Sequence, residues 1–368
     1  MKISKIPGLG RFGIFIDDVD LSTITPDEWM AIGKLHMEHL VTIIRNANCT
    51  PERQYDLVTQ FGEPRYGLKA YLLKKYAPIE WPELFQLARE KNSILSKHDI
   101  NAINSIVSTQ ENLGNGKDVN RVAGGYDDDG NPKGLFADGE LLWHSNESGT
   151  LTWTPGVALL GGKNVVGSAT GFLTTVDYYE SLSESFRSEL NEMILVHKFT
   201  PGKINPGLSE EQDALIHLNM CPEDAEVPMV ARSPGGHIGL HYSINTTHQI
   251  KGISKSESDR VFNEINKGLF VDKYIYDHWY QGDNDLCLFD NSITLHRRLG
   301  NIDGRVCYRI AHDYTNLQDG VYQPYFQKPF QLAYNKQIRE IVTTYGIKNF
   351  KLPPRRLVDS IPLLNRYV

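Results

Sequence analysis

Between residues 141 and 315 the chain is cut into short apolar runs by glycine, proline and polar turns, and this pattern restricts the fold more than any other feature. LLWHSNESG, TLTWTP, GVALLGG and GFLTT follow one another closely. VPMVARS, GHIGLHYS, DLCLFD, ITLHRR and RVCYRIAHDY come later, with helical stretches DYYESLSESFRSELNEMI and SKSESDRVFNEINKGLF set between. Short apolar runs bounded by turn residues read as antiparallel strands. Many short strands with few covering helices predict a mainly β fold with flanking helices (α+β), a double-stranded β-helix or jelly roll.

Ahead of this half, GIFID (13–17) and LVTIIR (40–45) flank TPDEWMAIGKLHMEH, which opens on a Thr N-cap and an acidic first turn. That order reads strand, helix, strand. TPERQYDLVTQFG repeats the helix-start signal, with Thr50 as cap, Pro51 at the first helical position and Gly62 just past the end. From about 64 to 140 the pattern is irregular, with a helix at 82–92 and the turn-rich YDDDGNPKGLFADGE. The latter lacks the remaining oxygen ligands and twelfth-position Glu of a calcium loop, so it reads as a hairpin turn. The expected organisation is one domain over 1–320 carrying an irregular insertion at about 64–140, with a C-terminal extension, 321–368, packing on it.

A formal charge of −7 and a pI near 6.0 leave no basic footprint for phosphate backbones, so nucleic acid is excluded as a general partner. No stretch of about 18 apolar residues and no basic, apolar leader occurs, which predicts a cytoplasmic chain that does not enter membranes. A small-molecule substrate is the expected partner, and homo-oligomerisation stays open. Cys49, Cys221, Cys287 and Cys307 lack C-x-x-C spacing and are expected to be reduced, buried thiols.

His144 and Asn146 lie two apart in LLWHSN, and on a strand that spacing puts both side chains on one face. His296, in FDNSITLHRR, lies on another predicted strand. Two histidines and one carboxylate on one face of an octahedron hold Fe(II) and leave three positions for a chelating co-substrate and O2. Here the carboxylate position holds an amide.

Read with their neighbours, these residues place the chain in a wider likeness. GRFGIFIDDVDLSTITPDEWMAIGKLHMEHLVTIIRNANCTPERQYDLVTQFGEP, LLWHSN, TPGVALLGGKNVVGSATGFLTT and GDNDLCLFDNSITLHRR followed by GRVCYR resemble the taurine dioxygenase family over roughly residues 8 to 315. The resemblance implies the catalytic metal ligands His144 and His296, with Asn146 at the carboxylate-ligand position. It implies Thr170 and Arg305 on the far carboxylate of 2-oxoglutarate, a bidentate task suited to a guanidinium. Arg309 matches a second arginine, near the iron-bound end of the co-substrate or an anionic substrate group. Fe(II), 2-oxoglutarate and O2 are the implied cofactor and co-substrates. The implied reaction oxidises an unactivated C–H bond and releases succinate and CO2.

Asn146 departs from the family pattern, and three explanations stay open. It is a substitution introduced to slow turnover, a weaker ligand in a natural enzyme, or the mark of a halogenase-like site in which a halide takes the carboxylate's place. A redox-inactive binding protein on the same fold is a further alternative. Glu147 is charged and adjacent, but on a regular strand it points to the opposite face. The family's histidine just after FGE is missing from FGEPRYGLKAYL, where Arg65 and Tyr66 stand, which argues against taurine. Tyr242, Asn245 and Arg309 are the candidate substrate residues for a small polar or anionic molecule.

Overall fold

The computed structural model describes residues 1–317 except 63, 66–71, 74, 98, 101–102, 105, 107–109, 115–116, 129–132, 134–136, 138, 149–153 and 198–224. The predicted extension at 321–368, Cys221, Tyr66 and much of the hairpin turn lie outside the described residues.

The predicted strand-helix-strand-helix opening is present. After strand β1 (Lys2–Lys5), β2 (Ile14–Asp17) and β3 (Val41–Ile44) pair in parallel across helix α1 (Pro26–His39), and α2 (Pro51–Phe61) follows. Thr25 caps α1 through a reciprocal box with Glu28, and the Thr50 hydroxyl accepts from the Arg53 amide at the start of α2. The irregular stretch contributes β4 (Pro64–Arg65), helix α3 (Trp81–Arg89), β5 (Gln110–Asn112) and β6 (Asp118–Ala123). Its strands are not a separate unit, because β4 and β6 both pair with Val306–His312, the last strand among the described residues.

Two sheets form the body. The strands β7 (Leu141–His144), β8 (Gly156–Lys163) and β9 (Ser168–Thr174) precede helices α4 (Val176–Ser181) and α5 (Glu184–Glu192). DYYESLSESFRSELNEMI is therefore two helices rather than the single one expected, since the Ser183 hydroxyl accepts from the Phe186 amide and restarts the helix. Small strands β10 (Ile194–His197), β11 (Ala225–Pro228), β12 (Val230–Arg232), β13 (Ile238–Leu240) and β14 (Thr247–Ile250) lead to helix α6 (Lys255–Leu269). The chain then enters β15 (Ile275–Trp279), β16 (Leu286–Asp290), β17 (Thr294–Gly300) and β18 (Val306–His312). The larger sheet runs β1-β2-β3-β16-β8-β18-β6-β5 with β4 on β18, and the smaller β15-β9-β17-β7. This is the expected jelly roll, not closed into a barrel.

Both faces of the larger sheet are covered, and residue parity shows by what. Ala158, Leu160, Leu286, Leu288 and Ile310 pack outward with Trp29, Ile32, Leu57 and Phe61 of α1 and α2. Their alternates Val157, Leu159, Cys287, Phe289 and Cys307 pack inward with Phe172 of the smaller sheet. Leu173 and Leu295 face the other way and join Tyr178, Phe262 and Ile265 in a further layer. Buried on both sides, β8 and β16 read as continuous apolar runs although they pair antiparallel. Among the described residues no helix is long and apolar enough to cross a membrane.

Trp29 anchors the helical layer: its ring stacks on Phe61 at 4.6 Å, and its indole N–H donates to the Leu57 carbonyl at 2.7 Å. Trp29→Ala is expected to lower unfolding stability by about 3–5 kcal/mol, measurable by urea denaturation. A loss below about 1 kcal/mol would mean that α1 is dispensable to the sheet.

Candidate active site

One end of the space between the sheets changes character. Inward positions on β9 and β17 run from apolar Phe172 to Thr170, and from His296 to Arg298, each pair two residues apart. His296 stands directly opposite His144 in the antiparallel β7–β17 pair, with ring centroids 4.1 Å apart. Thr170 stands opposite Arg298. From the facing sheet come Leu159, Phe289 and Arg309, with Arg305 just before β18. The even spacing of the two arginines turns both inward, as expected on an extended chain. Together these residues enclose a cavity of about 130 Å³, to which β6 adds Asn120 and Val122.

Burial sets the charge state of the two imidazoles. It pushes His144 down to about 4, with the cationic Arg309 and Arg298 adding to the effect, and holds His296 well below the usual range. Both rings are therefore neutral at pH 7. The Nδ1–H of His144 donates to the Leu142 carbonyl at 2.7 Å, which leaves the Nε2 lone pair available. Nδ1 of His296 is buried without a hydrogen-bond partner among the described residues.

Asn146 reaches the cavity by a route different from the one expected. Strand β7 ends at His144, and residues 146 to 148 form a turn. Its amide oxygen accepts from Arg309 Nη1 at 3.1 Å, while its buried Nδ2 has no partner among the described residues. Glu147 takes a left-handed φ of 59° in the same turn. The side chain is not sent to the opposite face: its carboxylate comes within 3.6 Å of Arg309 Nη2. The carboxylate is nonetheless absent from the cavity lining, and no group of three or more His, Cys, Asp or Glu among the described residues could hold a metal. The donors available here are two neutral imidazoles and one amide oxygen, one negative charge short of the two-histidine, one-carboxylate triad that suits Fe(II).

The opposite end of the cavity is cationic. Arg305 is 2% exposed, its Nη2 lies 3.4 Å from the Thr170 hydroxyl, and its guanidinium sits 5.6 Å from the Tyr280 ring centre. Thr170 and Tyr280 share a hydrogen bond of 3.0 Å. Arg305 Nε has no partner among the described residues. No carboxylate is present among the lining residues, whereas Arg121, Arg297, Arg298, Arg305 and Arg309 all are. Arg297 is answered by a two-pronged pair with Asp277, at 3.0 and 2.6 Å. Arg309 lies within 3.6 Å of the Glu147 carboxylate, whereas the buried Arg305 has no carboxylate beside it in the lining, an arrangement that is costly unless its charge is answered.

The structure thus brings His144, Asn146, His296, Thr170, Arg305 and Arg309 to one cavity. It does not bring the expected substrate residues Tyr242 and Asn245 to the lining of that cavity. Tyr242 is buried in the outer apolar layer with its hydroxyl donating to Asn266 at 3.0 Å, and the Asn245 amide oxygen accepts from Ser243 at 2.6 Å. Both follow the end of β13, which pairs with β12 and belongs to neither sheet that walls the cavity. Tyr280, Arg298 and Asn291 went unread in the sequence; the last two sit in FDNSITLHRR beside His296, the only signal that could have flagged them.

The profile of the family described as Taurine catabolism dioxygenase TauD, TfdA family matches residues 3–310. No curated protein matches the sequence. Among solved structures, AAD-2 in complex with Mn(II) and N-oxalylglycine is similar in fold at a TM-score of 0.55 and 16% identity, over 85% of this chain and 97% of that one. A taurine dioxygenase from Burkholderia xenovorans gives a TM-score of 0.56 at 18% identity, over 84% of this chain and 89% of that one.

Proposed function

Because this chain belongs to the TauD, TfdA family of dioxygenases, which use Fe(II), 2-oxoglutarate and O2, we propose that it oxidises a C–H bond of a small anionic molecule at the cavity between its two sheets. The observation that carries the reading is the meeting of His144 and His296 across β7 and β17, in the cavity that also holds Arg305 and Thr170.

His144 and His296 would hold the iron through neutral imidazoles, with Asn146 offering an amide oxygen as third donor. When bound, the iron would couple decarboxylation of 2-oxoglutarate to oxidation of the substrate by O2. The chain's own residues set the stage. The Leu142 carbonyl fixes the tautomer of His144. Arg305 and the Thr170 hydroxyl receive the distal carboxylate of 2-oxoglutarate and so orient the molecule toward the histidines. Phe289 and Leu159, backed by Phe172 in the core behind them, keep the inner wall apolar and limit water around the reacting bond. Arg309 of β18 and Arg298 of β17, which line the cavity from opposite sheets, favour a carboxylate, sulfonate or phosphate on the substrate.

Asn146 makes the reading testable through charge. Asn146→Asp is expected to tighten Mn(II) or Fe(II) binding by about 10–100-fold and to raise succinate release from 2-oxoglutarate. Part of the gain would be offset by the pair that the new carboxylate forms with Arg309, 3.1 Å away in the parent side chain's position. Calorimetric titration of both proteins with Mn(II) and N-oxalylglycine decides it. Equal affinities would remove position 146 from the metal shell.

A further inference from the structure

Since β7 stops at His144, side chains rather than strand pairing hold the turn that carries Asn146 among the described residues; Ser243 and Arg309 each contribute, and Asn291 bonds the backbone of residue 146 on both sides. Asn291 lies between β16 and β17, on the turn that leads into His296, and is fully buried. Its amide oxygen accepts from the Asn146 N–H at 2.8 Å and from the Ser145 hydroxyl at 3.0 Å. Its amide nitrogen donates to the Asn146 carbonyl at 3.0 Å and to the Thr154 carbonyl at 2.8 Å. Both amide hydrogens and the amide oxygen of the carboxamide are thereby engaged, with the single Ser145 hydroxyl hydrogen shared between that oxygen and the Asn291 backbone carbonyl. The backbone at 291 adds to this, its carbonyl lying 2.7 Å from the same Ser145 hydroxyl and its N–H donating to the Pro155 carbonyl at 2.7 Å.

By engaging both the N–H and the C=O of residue 146, the side chain reproduces a rung of β-ladder where the ladder itself has ended. Only a primary amide of this length can do so. Aspartate keeps the acceptors but turns a charge toward two carbonyls, and glutamine carries an extra methylene into a fully buried position. The clamp spans the two turns that present the three candidate metal donors. Rigid support of this kind keeps a site in productive geometry before its metal or substrate arrives.

We propose that Asn291 is a positioning residue that sets the 144–146 turn against His296 and so presets the metal-donor geometry; this rests on the Fe(II) reading above. It touches neither metal nor substrate, and its contribution is made through residue 146. The test is Mn(II) titration of the full chain carrying Asn291→Asp or, as the milder change, Ser145→Ala. Amide hydrogen exchange over residues 143–148 is followed in the metal-free proteins. Folded Asn291→Asp is expected to bind Mn(II) about 10–100-fold more weakly than the parent, with faster exchange confined to that turn. Ser145→Ala, which removes one of the clamp's donors, is expected to lose about fivefold. A folded Asn291→Asp that binds Mn(II) like the parent, or exchange that rises across the whole domain, would overturn the role. Should Asn291→Asp not fold, Ser145→Ala decides, and unchanged affinity there counts against the proposal. A parent that binds no Mn(II) overturns the metal reading itself and the role with it, an outcome distinguished by the parent titration alone.

Discussion

Replacing Arg305 with alanine is expected to weaken 2-oxoglutarate binding by about 10²–10³-fold, the effect of truncating one partner of a buried charge pair at roughly 3–4 kcal/mol. The size follows from burial. Arg305 is 2% exposed, no carboxylate lines the cavity with it, and its nearest polar neighbours are the hydroxyls of Thr170 and Tyr280. A 2-oxoglutarate carboxylate left there without the guanidinium would be desolvated and unanswered. Arg305→Lys should recover only part of the affinity, because an ammonium keeps the charge but not the planar fork. Thr170→Val should cost less, about tenfold, since one hydroxyl donor is lost and the charge pair remains. Titration with N-oxalylglycine in the presence of Mn(II) reads all three. An Arg305→Ala affinity within twofold of the parent would move the co-substrate carboxylate to Arg309 or Arg298.

Acidification from pH 7 to 5 is expected to remove roughly 5–10 kcal/mol of unfolding stability, comparable with the whole stability of many domains. Burial holds His36 and His197 down to about 3 and His144, His241 and His312 down to about 4. Each is neutral in the fold at pH 5, whereas in the unfolded chain it takes a proton below about 6.5. The unfolded state therefore binds more protons, and stability is greatest above pH 6.5 and falls as pH drops toward the folded values. Each histidine contributes about 2 kcal/mol over this interval. Asp290 acts in the opposite sense: burial raises it to about 7, so the fold gains a proton there as pH falls. That gain, about 2 kcal/mol, offsets one histidine of the five. Urea unfolding at pH 7, 6 and 5, followed by tryptophan fluorescence, checks the slope. Stability that is flat across the interval would show that these rings become protonated inside the fold. His36, bonded through Nε2 to the Tyr314 hydroxyl at 2.7 Å, lies outside the cavity, so His36→Gln should reduce the slope while leaving Mn(II) affinity unchanged.

The opening elements were legible because their signals are local. Thr25 with Glu28, and Thr50 with Pro51, start helices through contacts spanning three or four residues, and the structure realises both. Strands β8, β9, β16, β17 and β18 were equally plain as short apolar runs, whereas β1, β5, β6, β14 and β15 are polar or mixed and went unread. The faces of the legible strands were not plain: DLCLFD is apolar at every central position, and only the pairing of β16 between β3 and β8 decides that Cys287 and Phe289 face the cavity side while Leu286 and Leu288 face the helices. The same limit explains Tyr242, whose place in LHYSINTTH gives no sign that its chain segment has turned away into the outer layer.

What this sequence determined by itself is the set of parts: antiparallel strands with capped helices ahead of them, the H-x-N motif, the distant His296, and the Arg305 and Arg309 pair. These follow from residue type and spacing along the chain, which steric and hydrogen-bonding preferences read over a few neighbours. Tertiary structure alone decided that His144 faces His296 in register, that β7 ends before Asn146, and that Glu147 turns toward Arg309. It also supplied Asn291 as the clamp between the two turns. The physical reason is range: each of these contacts joins residues far apart in the chain, and its geometry depends on how the sheets meet and where the ladder stops, which no local pattern encodes.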